Sequence, residues 1–293
     1  QARKILTMNP SRPLATHVAV RDGRILGAGS LDELKGWGDY QLNTTLADKI
    51  LMPGLVDAHV HLFSAGQPAW TVYLPDLPAN ARAFLYAGVT SALVAQVAGP
   101  SEEELLKLAA AGQTLIPHLY RAGPGLTAPG GHPIPLVRAL LPFPLSNLAI
   151  SQQPTAATPA QAREEAARII AKGFSLMKIF YDDVPPGSPQ LTREALAAAI
   201  RAARERGARA VVHIGKSTDM VAAAEEGAAL LMHPPIQDRL TPAQVARLKA
   251  LGVPFTTTMR TMAAADEVAV SGGTPFERDV VDAQVLPAFA RRP

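Results

Sequence analysis

The chain has 293 residues, 48% of them hydrophobic, and a formal net charge of +3. It contains no cysteine, which excludes disulfides, thiolate metal sites and cysteine nucleophiles. No run reaches the roughly 18 apolar residues of a membrane span, and the first residues lack a signal-peptide pattern, so we expect a cytoplasmic protein that does not bind membranes. Its basic residues are dispersed, which argues against nucleic acid as a partner.

The first 52 residues predict a small β domain. Asp22-Gly23 separates two short apolar segments, Val18–Val20 and Ile25–Leu26, which is the pattern of a β-hairpin.

From residue 53 onward, Ala-rich helical segments alternate with apolar strands. Six such helices end in a glycine, which accepts the left-handed conformation that ends a helix, and an apolar strand follows each one. With a first strand at Leu55–His61 the pattern has seven strands, and the alternation predicts a parallel sheet. So many units favour a (β/α)8 TIM barrel over residues 53–293. The glycines are Gly88, Gly112, Gly173, Gly207, Gly227 and Gly252.

The helix starts carry matching capping signals. Thr158 and Thr241 each open a Thr-Pro-Ala-Gln segment, with an N-cap, Pro at N1 and Gln at N3. Ser101 with Glu104 predicts a third capping box.

The eighth barrel strand has no counterpart in the sequence. After strand 7, at Val253–Thr258, the pattern predicts a loop and a helix over Phe276–Ala290. Seven parallel strands would leave an unpaired edge, so we expect the C-terminal part of the barrel to lie beyond this sequence.

Two histidines end the first barrel strand. His59 and His61 stand at i and i+2, and side chains at that spacing point to the same face of a strand. Imidazole is the commonest side-chain metal ligand. The pair therefore predicts one corner of a metal site.

Further nitrogen side chains stand at similar offsets from the helix-ending glycines. Lys178 follows its glycine by five residues, and His118, His213 and His233 follow theirs by six. These offsets predict positions near the carboxyl ends of strands 3 to 6, where barrel active sites are built.

This set of residues resembles the amidohydrolase superfamily, and the segment Gly130-Gly131-His132 resembles, more narrowly, its imidazolonepropionase and prolidase-like branches. The resemblance implies that His59 and His61 hold one divalent ion, usually zinc, and that His213 and His233 hold a second. Lys178 would bridge both ions as its carbamate, which makes Lys178 and His213 the predicted catalytic residues. The resemblance also implies that residues 1–52 are the N-terminal part of a composite β-sandwich, and that a strand-8 aspartate, absent from this sequence, completes the site.

The chemistry of these residues agrees with that resemblance. A lysine buried in an apolar strand has a lowered pKa, and its neutral amine can add carbon dioxide to become an anionic oxygen ligand. Two metal ions could then activate a shared water against a carbonyl carbon and stabilise the oxyanion that forms. The sequence thus predicts a hydrolase of a C–N bond in a small molecule, such as an amide, a cyclic amide or a dipeptide.

Three residues are candidates for substrate binding. Arg121 to Pro154 form a long loop rich in Gly and Pro, and loops of this length often cover a site. Within it, Gly130-Gly131-His132 is similar to a segment that lies over the substrate in the branches named above, although an ordinary turn with an exposed histidine is equally compatible. The candidates are His132, Tyr181 and Arg260.

Other functions stay open at this point. A mononuclear deaminase of the same superfamily would not need Lys178 as a bridge, and a barrel aldolase would use Lys178 as a Schiff-base lysine. A non-catalytic scaffold would keep the barrel without the chemistry. The substrate and the oligomeric state cannot be read from these residues, and a homo-oligomer is compatible with the unpaired surface of the small β domain.

Overall fold

The computed structural model describes residues 1–63, 76–97 and 99–258, together with Pro275. The chain divides into two compact units, Gln1–Leu55 and Val56–Pro293. Arg260 and the predicted helix Phe276–Ala290 lie outside the described residues. Every helix in the described part of the chain is too short or too polar to cross a membrane.

The first unit is built from short strands, one short α-helix and a 3-10 turn at Lys35–Trp37. Its elements are, in chain order, β1 (Lys4–Leu6), β2 (Leu14–Ala15), β3 (His17–Arg21), β4 (Arg24–Gly29), α1 (Leu31–Leu34) and β5 (Ile50–Leu51). Strand β1 lies between β2 and β5, and β3 pairs antiparallel with β4. The predicted hairpin is confirmed: Asp22 and Gly23 have φ of 51° and 73°, the left-handed geometry that a tight two-residue turn requires.

The second unit alternates strands and helices. Its elements are β6 (Leu55–Val60), α2 (Leu77–Tyr86), β7 (Val89–Val94), α3 (Pro100–Ala110), β8 (His118–Arg121), α4 (Ile134–Leu140), α5 (Leu145–Ser151), α6 (Pro159–Ile170), β9 (Leu176–Tyr181), α7 (Arg193–Glu205), β10 (Arg209–Ile214), α8 (Ser217–Glu225), β11 (Leu230–Met232), α9 (Pro242–Leu251) and β12 (Phe255–Thr256).

The strands of the second unit follow one another in chain order. One sheet has the order β6-β7-β8 and another the order β12-β11-β10-β9. A parallel bridge between Ala122 and Leu176 connects β8 to β9, and the ladders from β9 to β12 are parallel. His59 Nδ1 on β6 lies 3.3 Å from Thr256 Oγ1 on β12, so the series curls far enough for side chains of its first and last described strands to make contact. An eighth strand is not present among the described residues.

The predicted helix boundaries are mostly confirmed. All six helix-ending glycines adopt a positive φ, between 67° and 91°. Thr158 and Thr241 accept hydrogen bonds from the backbone N–H three residues on, as predicted. The capping box at Ser101 was wrong, because α3 starts two residues earlier than that box requires, with Gly99 as its N-cap and Pro100 at N1.

The third barrel strand also differs from its prediction. Residues 113–118 were expected to form it, but β8 begins at His118 and runs to Arg121. His118 therefore lies at the amino end of the strand, exposed and against the Tyr120 ring, rather than at the carboxyl end.

Side chains alternate between two apolar layers in the second unit. Met177, Ile179 and Tyr181 of β9 face outward, in a core shared with helices α6, α7 and α8. On the inner face, Ala95, Ala122, Val211 and Met232 form a separate cluster contributed by different strands. Because the strand period is two, Lys178 and His213 fall on that inner face.

Candidate metal centre

Four histidines meet at the carboxyl ends of three strands. His59 lies near the end of β6 and His61 directly follows it, His213 lies near the end of β10, and His233 follows β11. The ring centroids of His59 and His61 are 5.4 Å apart, those of His59 and His233 4.6 Å, and those of His213 and His233 4.4 Å. The structure thus gathers these four predicted residues into one cluster.

Lys178 lies further from the carboxyl ends of the strands than the four histidines do. In the β9–β10 register Lys178 pairs with Val211, and His213 pairs with Phe180. Lys178 therefore starts two residues deeper, about 6.6 Å along the strand, a distance that its long side chain spans. The side chain is fully buried, with Nζ 2.9 Å from Met232 Sδ and 4.9 Å from the centroid of the Phe180 ring.

Burial controls the charge of all five side chains. Loss of hydration lowers the pKa of Lys178 to about 7, although the charge of Asp182 opposes that shift. Burial and then the charge of Lys178 lower the pKa of His59 to about 2, of His61 to about 3 and of His233 to about 4, and that of His213 well below its usual value. The imidazoles are therefore neutral near pH 7, which is the form that binds metal.

The long loop after β8 brings His132 to the same place. Gly130 has a φ of 78°, and a Cβ on Gly131 would lie 2.5 Å from the Pro189 carbonyl oxygen, so the tight turn requires both glycines. The turn places the His132 ring 4.7 Å from that of His213. Its side chain is only 13% exposed, so His132 is not the exposed histidine of an ordinary turn.

Asp182 belongs to the cluster and was missed by the sequence analysis. Its carboxylate is fully buried and accepts hydrogen bonds at Oδ1 from His132 Nδ1 (2.9 Å) and from the Val184 N–H (3.0 Å). Candidate ligand atoms of His132, Asp182 and His213 all lie within 4.8 Å of one another. The signal was in the sequence, because Lys178 and Asp182 are four residues apart and share the inner face of an extended segment.

Two threonines at the end of the described chain, Thr256 on β12 and Thr258 two residues after it, were missed as well. Thr256 Oγ1 lies 3.3 Å from His59 Nδ1 and accepts the backbone N–H of His233 at 3.5 Å, while Thr258 Oγ1 is hydrogen-bonded to His233 Nδ1. His233 and Thr258 have φ of 77° and 42°, which is uncommon for residues with a Cβ and recurs at functional sites. In the sequence, Thr256 and Thr258 stand at i and i+2, and this spacing was the available signal.

Of the other two predicted substrate residues, the structure describes only Tyr181. Tyr181 lies on the face of β9 opposite to Lys178, inside the outer core, where burial raises its pKa. The structure therefore does not bring Tyr181 to the candidate centre. Arg260 lies outside the described residues.

The side chains present fit a metal ion. His61 Nδ1 and Asp182 Oδ2 are buried atoms without a hydrogen-bond partner in the described structure, and unpaired buried polar atoms cost free energy. A divalent cation would satisfy His61 Nδ1. Neutral imidazoles are donors that suit zinc and similar transition metals.

A parallel α/β array that gathers metal-binding side chains at the carboxyl ends of its strands is typical of TIM-barrel-like metalloproteins. The sequence profile of the amidohydrolase family matches residues 50–288. The chain belongs to the amidohydrolase family, whose members generally use metal ions.

Solved structures with a similar fold include two peptidases. A prolidase crystallised with N-methylphosphonate-L-proline is 19% identical with a TM-score of 0.64, over 98% of this chain and 72% of that one. A Xaa-Pro dipeptidase with methionine bound in its active site is 18% identical with a TM-score of 0.65, over 99% of this chain and 72% of that one. Ochratoxinase from A. niger is 17% identical with a TM-score of 0.64, over 99% of this chain and 69% of that one. At such identities the likeness establishes a shared TIM-barrel-like fold.

A curated relative matches a shorter part of the sequence. Protein LONG AFTER FAR-RED 3 of Arabidopsis thaliana is 49% identical over 63 residues, which are 21% of this chain and 11% of that protein. The match therefore spans only about a tenth of that relative.

Proposed function

We propose that this chain carries the metal centre of a hydrolase that cleaves a C–N bond in an amide, a cyclic amide or a dipeptide. The convergence of four neutral histidines around one fully buried lysine is the observation that carries the proposal. Family membership supports hydrolysis at the level of the reaction class.

In this proposal the centre holds two zinc ions. His59 and His61 bind one ion, and His213 and His233 bind the other. Divalent ions supply Lewis-acid chemistry, which polarises a carbonyl group and lowers the pKa of water.

Lys178 is the proposed ligand that would bridge the two ions. With a pKa of about 7, much of its amine is neutral near neutral pH. The Nζ lone pair attacks carbon dioxide, the new N–C bond forms, and one proton leaves to solvent. The product is a carbamate, whose buried negative charge would be compensated by the two bound cations.

His132 is the proposed substrate contact from the loop. It lies beside His213 and Asp182, at the edge of the cluster. Because two similar structures are a prolidase and a Xaa-Pro dipeptidase, Xaa-Pro dipeptides are the first substrates to test.

Metal analysis of the purified chain tests the proposal. We expect two equivalents of zinc in the wild type and one or none in Lys178→Ala. The matched control is Lys172→Ala, which removes an exposed lysine after α6 and should retain both ions. An absence of bound metal in the wild type would contradict the hydrolase, whereas one ion in both the wild type and Lys178→Ala would favour the mononuclear deaminase.

A further inference from the structure

Asp182 lies between two imidazoles and uses only one of its carboxylate oxygens. Oδ1 accepts from His132 Nδ1 and from the Val184 N–H. Oδ2 is buried without a hydrogen-bond partner in the described structure, and His213 Nε2 lies 3.8 Å away. Oδ1 is therefore satisfied, and Oδ2 lies slightly beyond hydrogen-bond distance from the His213 ring.

The surroundings of Asp182 leave few other partners for that oxygen. The adjacent Asp183 takes the nearby polar groups, because Lys216 Nζ and Gln237 Nε2 donate to it at 2.7 and 2.8 Å. Gly215 packs closely against Asp182, since a Cβ on Gly215 would lie 3.1 Å from Asp182 Cβ. Asp182 is thus held beside His213, and a shift of about 1 Å would bring Oδ2 to hydrogen-bond distance from Nε2.

We propose that Asp182 is a positioning residue that fixes the ring orientation of both His132 and His213. Its two oxygens accept one N–H from each ring, so the proton sits on Nδ1 of His132 and on Nε2 of His213. The lone pairs are then on Nε2 of His132 and on Nδ1 of His213. A metal-binding histidine commonly donates its second N–H to a carboxylate, which orients the ring and makes it a stronger ligand. The inference rests on the proposed metal-dependent function, and it links His132 of the loop to a metal ligand through one carboxylate.

Zinc affinity of matched variants is the first measurement. Asp182→Asn keeps an oxygen for His132 but replaces the other oxygen with an amide that cannot accept from His213. We expect its zinc affinity, measured by competition with a chelator, to fall about 10- to 100-fold. Asp183→Asn is the control, since it makes the same change one residue away on a carboxylate that contacts Lys216, and it should bind zinc as the wild type does. If Asp182→Asn and Asp183→Asn bind zinc with equal affinity, the proposal is overturned.

Nitrogen NMR of the metal-free chain with 15N-labelled histidine tests the same proposal without metal and without relying on a variant to fold. We expect wild-type His213 to be protonated at Nε2 and His132 at Nδ1, and either opposite tautomer would contradict the inference. A wild type that binds no zinc would refute the proposed function, while these tautomers would still decide the role of Asp182.

A crystal structure of the zinc-loaded chain separates positioning from direct ligation. A distance of more than 3 Å from Asp182 Oδ2 to zinc, with Oδ2 on His213 Nε2, supports positioning. A zinc–Oδ2 distance of about 2.0–2.2 Å would make Asp182 a ligand and overturn the proposal.

Discussion

The chemistry of the centre depends on Lys178, whose amine is buried without a close carboxylate partner among the described residues. Its Nζ contacts a thioether sulfur and an aromatic ring, and neither replaces the hydration that an ammonium group loses on burial. The folded protein therefore favours the neutral amine, which is the form that reacts with carbon dioxide. In the unfolded chain the same lysine regains its usual pKa of about 10.4.

This difference predicts a pH dependence of stability. Between about pH 7 and 10 the unfolded chain holds one more proton at Lys178 than the folded chain, so the free energy of unfolding rises with pH, by up to about 1.4 kcal/mol per pH unit. Urea unfolding of metal-free protein in carbon dioxide-free buffer measures it. We expect Lys178→Met to lose this part of the slope and Lys172→Met to keep it. An identical slope in the wild type and Lys178→Met would show that the lysine stays charged in the fold.

The histidine and lysine cluster was predictable at the residue scale because each member ends or enters an apolar strand at a regular offset. Asp182 and the two threonines were missed, since single polar residues after a strand are common and their spacing alone does not mark them as part of a site. Tyr181 was assigned to the site from its distance along the chain alone. The period of two places it on the opposite face from Lys178, where it packs in the outer core.

At the scale of elements, the helix-ending glycines located β9 and β10 well but misplaced β8. Counting from a glycine assumes that the loop before each strand is short. The loop between α3 and β8 spans 111–117, whereas that between α7 and β10 spans 206–208. His118 therefore starts its strand, and its register partner is Ser91 on β7. Loop length depends on packing against neighbouring elements, which the local pattern does not encode.

Strand β12 acts on the cluster through hydroxyl groups. Thr256 contacts both His59 and His233, and Thr258 pairs with His233 Nδ1 in a backbone conformation that is unfavourable for a β-branched residue. Such hydrogen bonds determine which ring nitrogen is left to bind a metal. The last described strand and the residues just after it thus support two candidate ligands, His59 on β6 and His233 directly after β11.

Substitution of Thr258 tests this role of β12. Thr258→Val keeps the shape and removes the hydroxyl group, and we expect zinc affinity to fall about 10- to 100-fold because the His233 ring loses its partner. Thr258→Ser restores the hydroxyl group and should recover most of the affinity. The measurement is zinc competition against a chelator. If valine and serine variants bind zinc equally well, the hydroxyl group does not orient His233.

At the scale of the whole molecule, the candidate centre joins segments that are far apart in sequence. His59 lies on the first strand of the second unit and His233 follows its sixth, with Lys178 and His213 on the strands between. A metal ion bound to these residues would link the two sheets of the curled strand series. Ligands that bind only the native state stabilise it by mass action, so metal loading should raise the stability of the strands that carry the ligands.

Amide hydrogen exchange with and without zinc tests this consequence. At a free zinc concentration 100 times its Kd, the native state gains about 2.7 kcal/mol, which corresponds to roughly 100-fold slower exchange at amides that exchange by global unfolding. We expect the slowing in β6, β9, β10 and β11, with its loss on chelation and a much smaller effect in Lys178→Ala. The exposed Lys172→Ala variant should respond to zinc as the wild type does. Slowing confined to one strand, or an equal response in Lys178→Ala, would mean that zinc binds without joining these strands through the buried lysine.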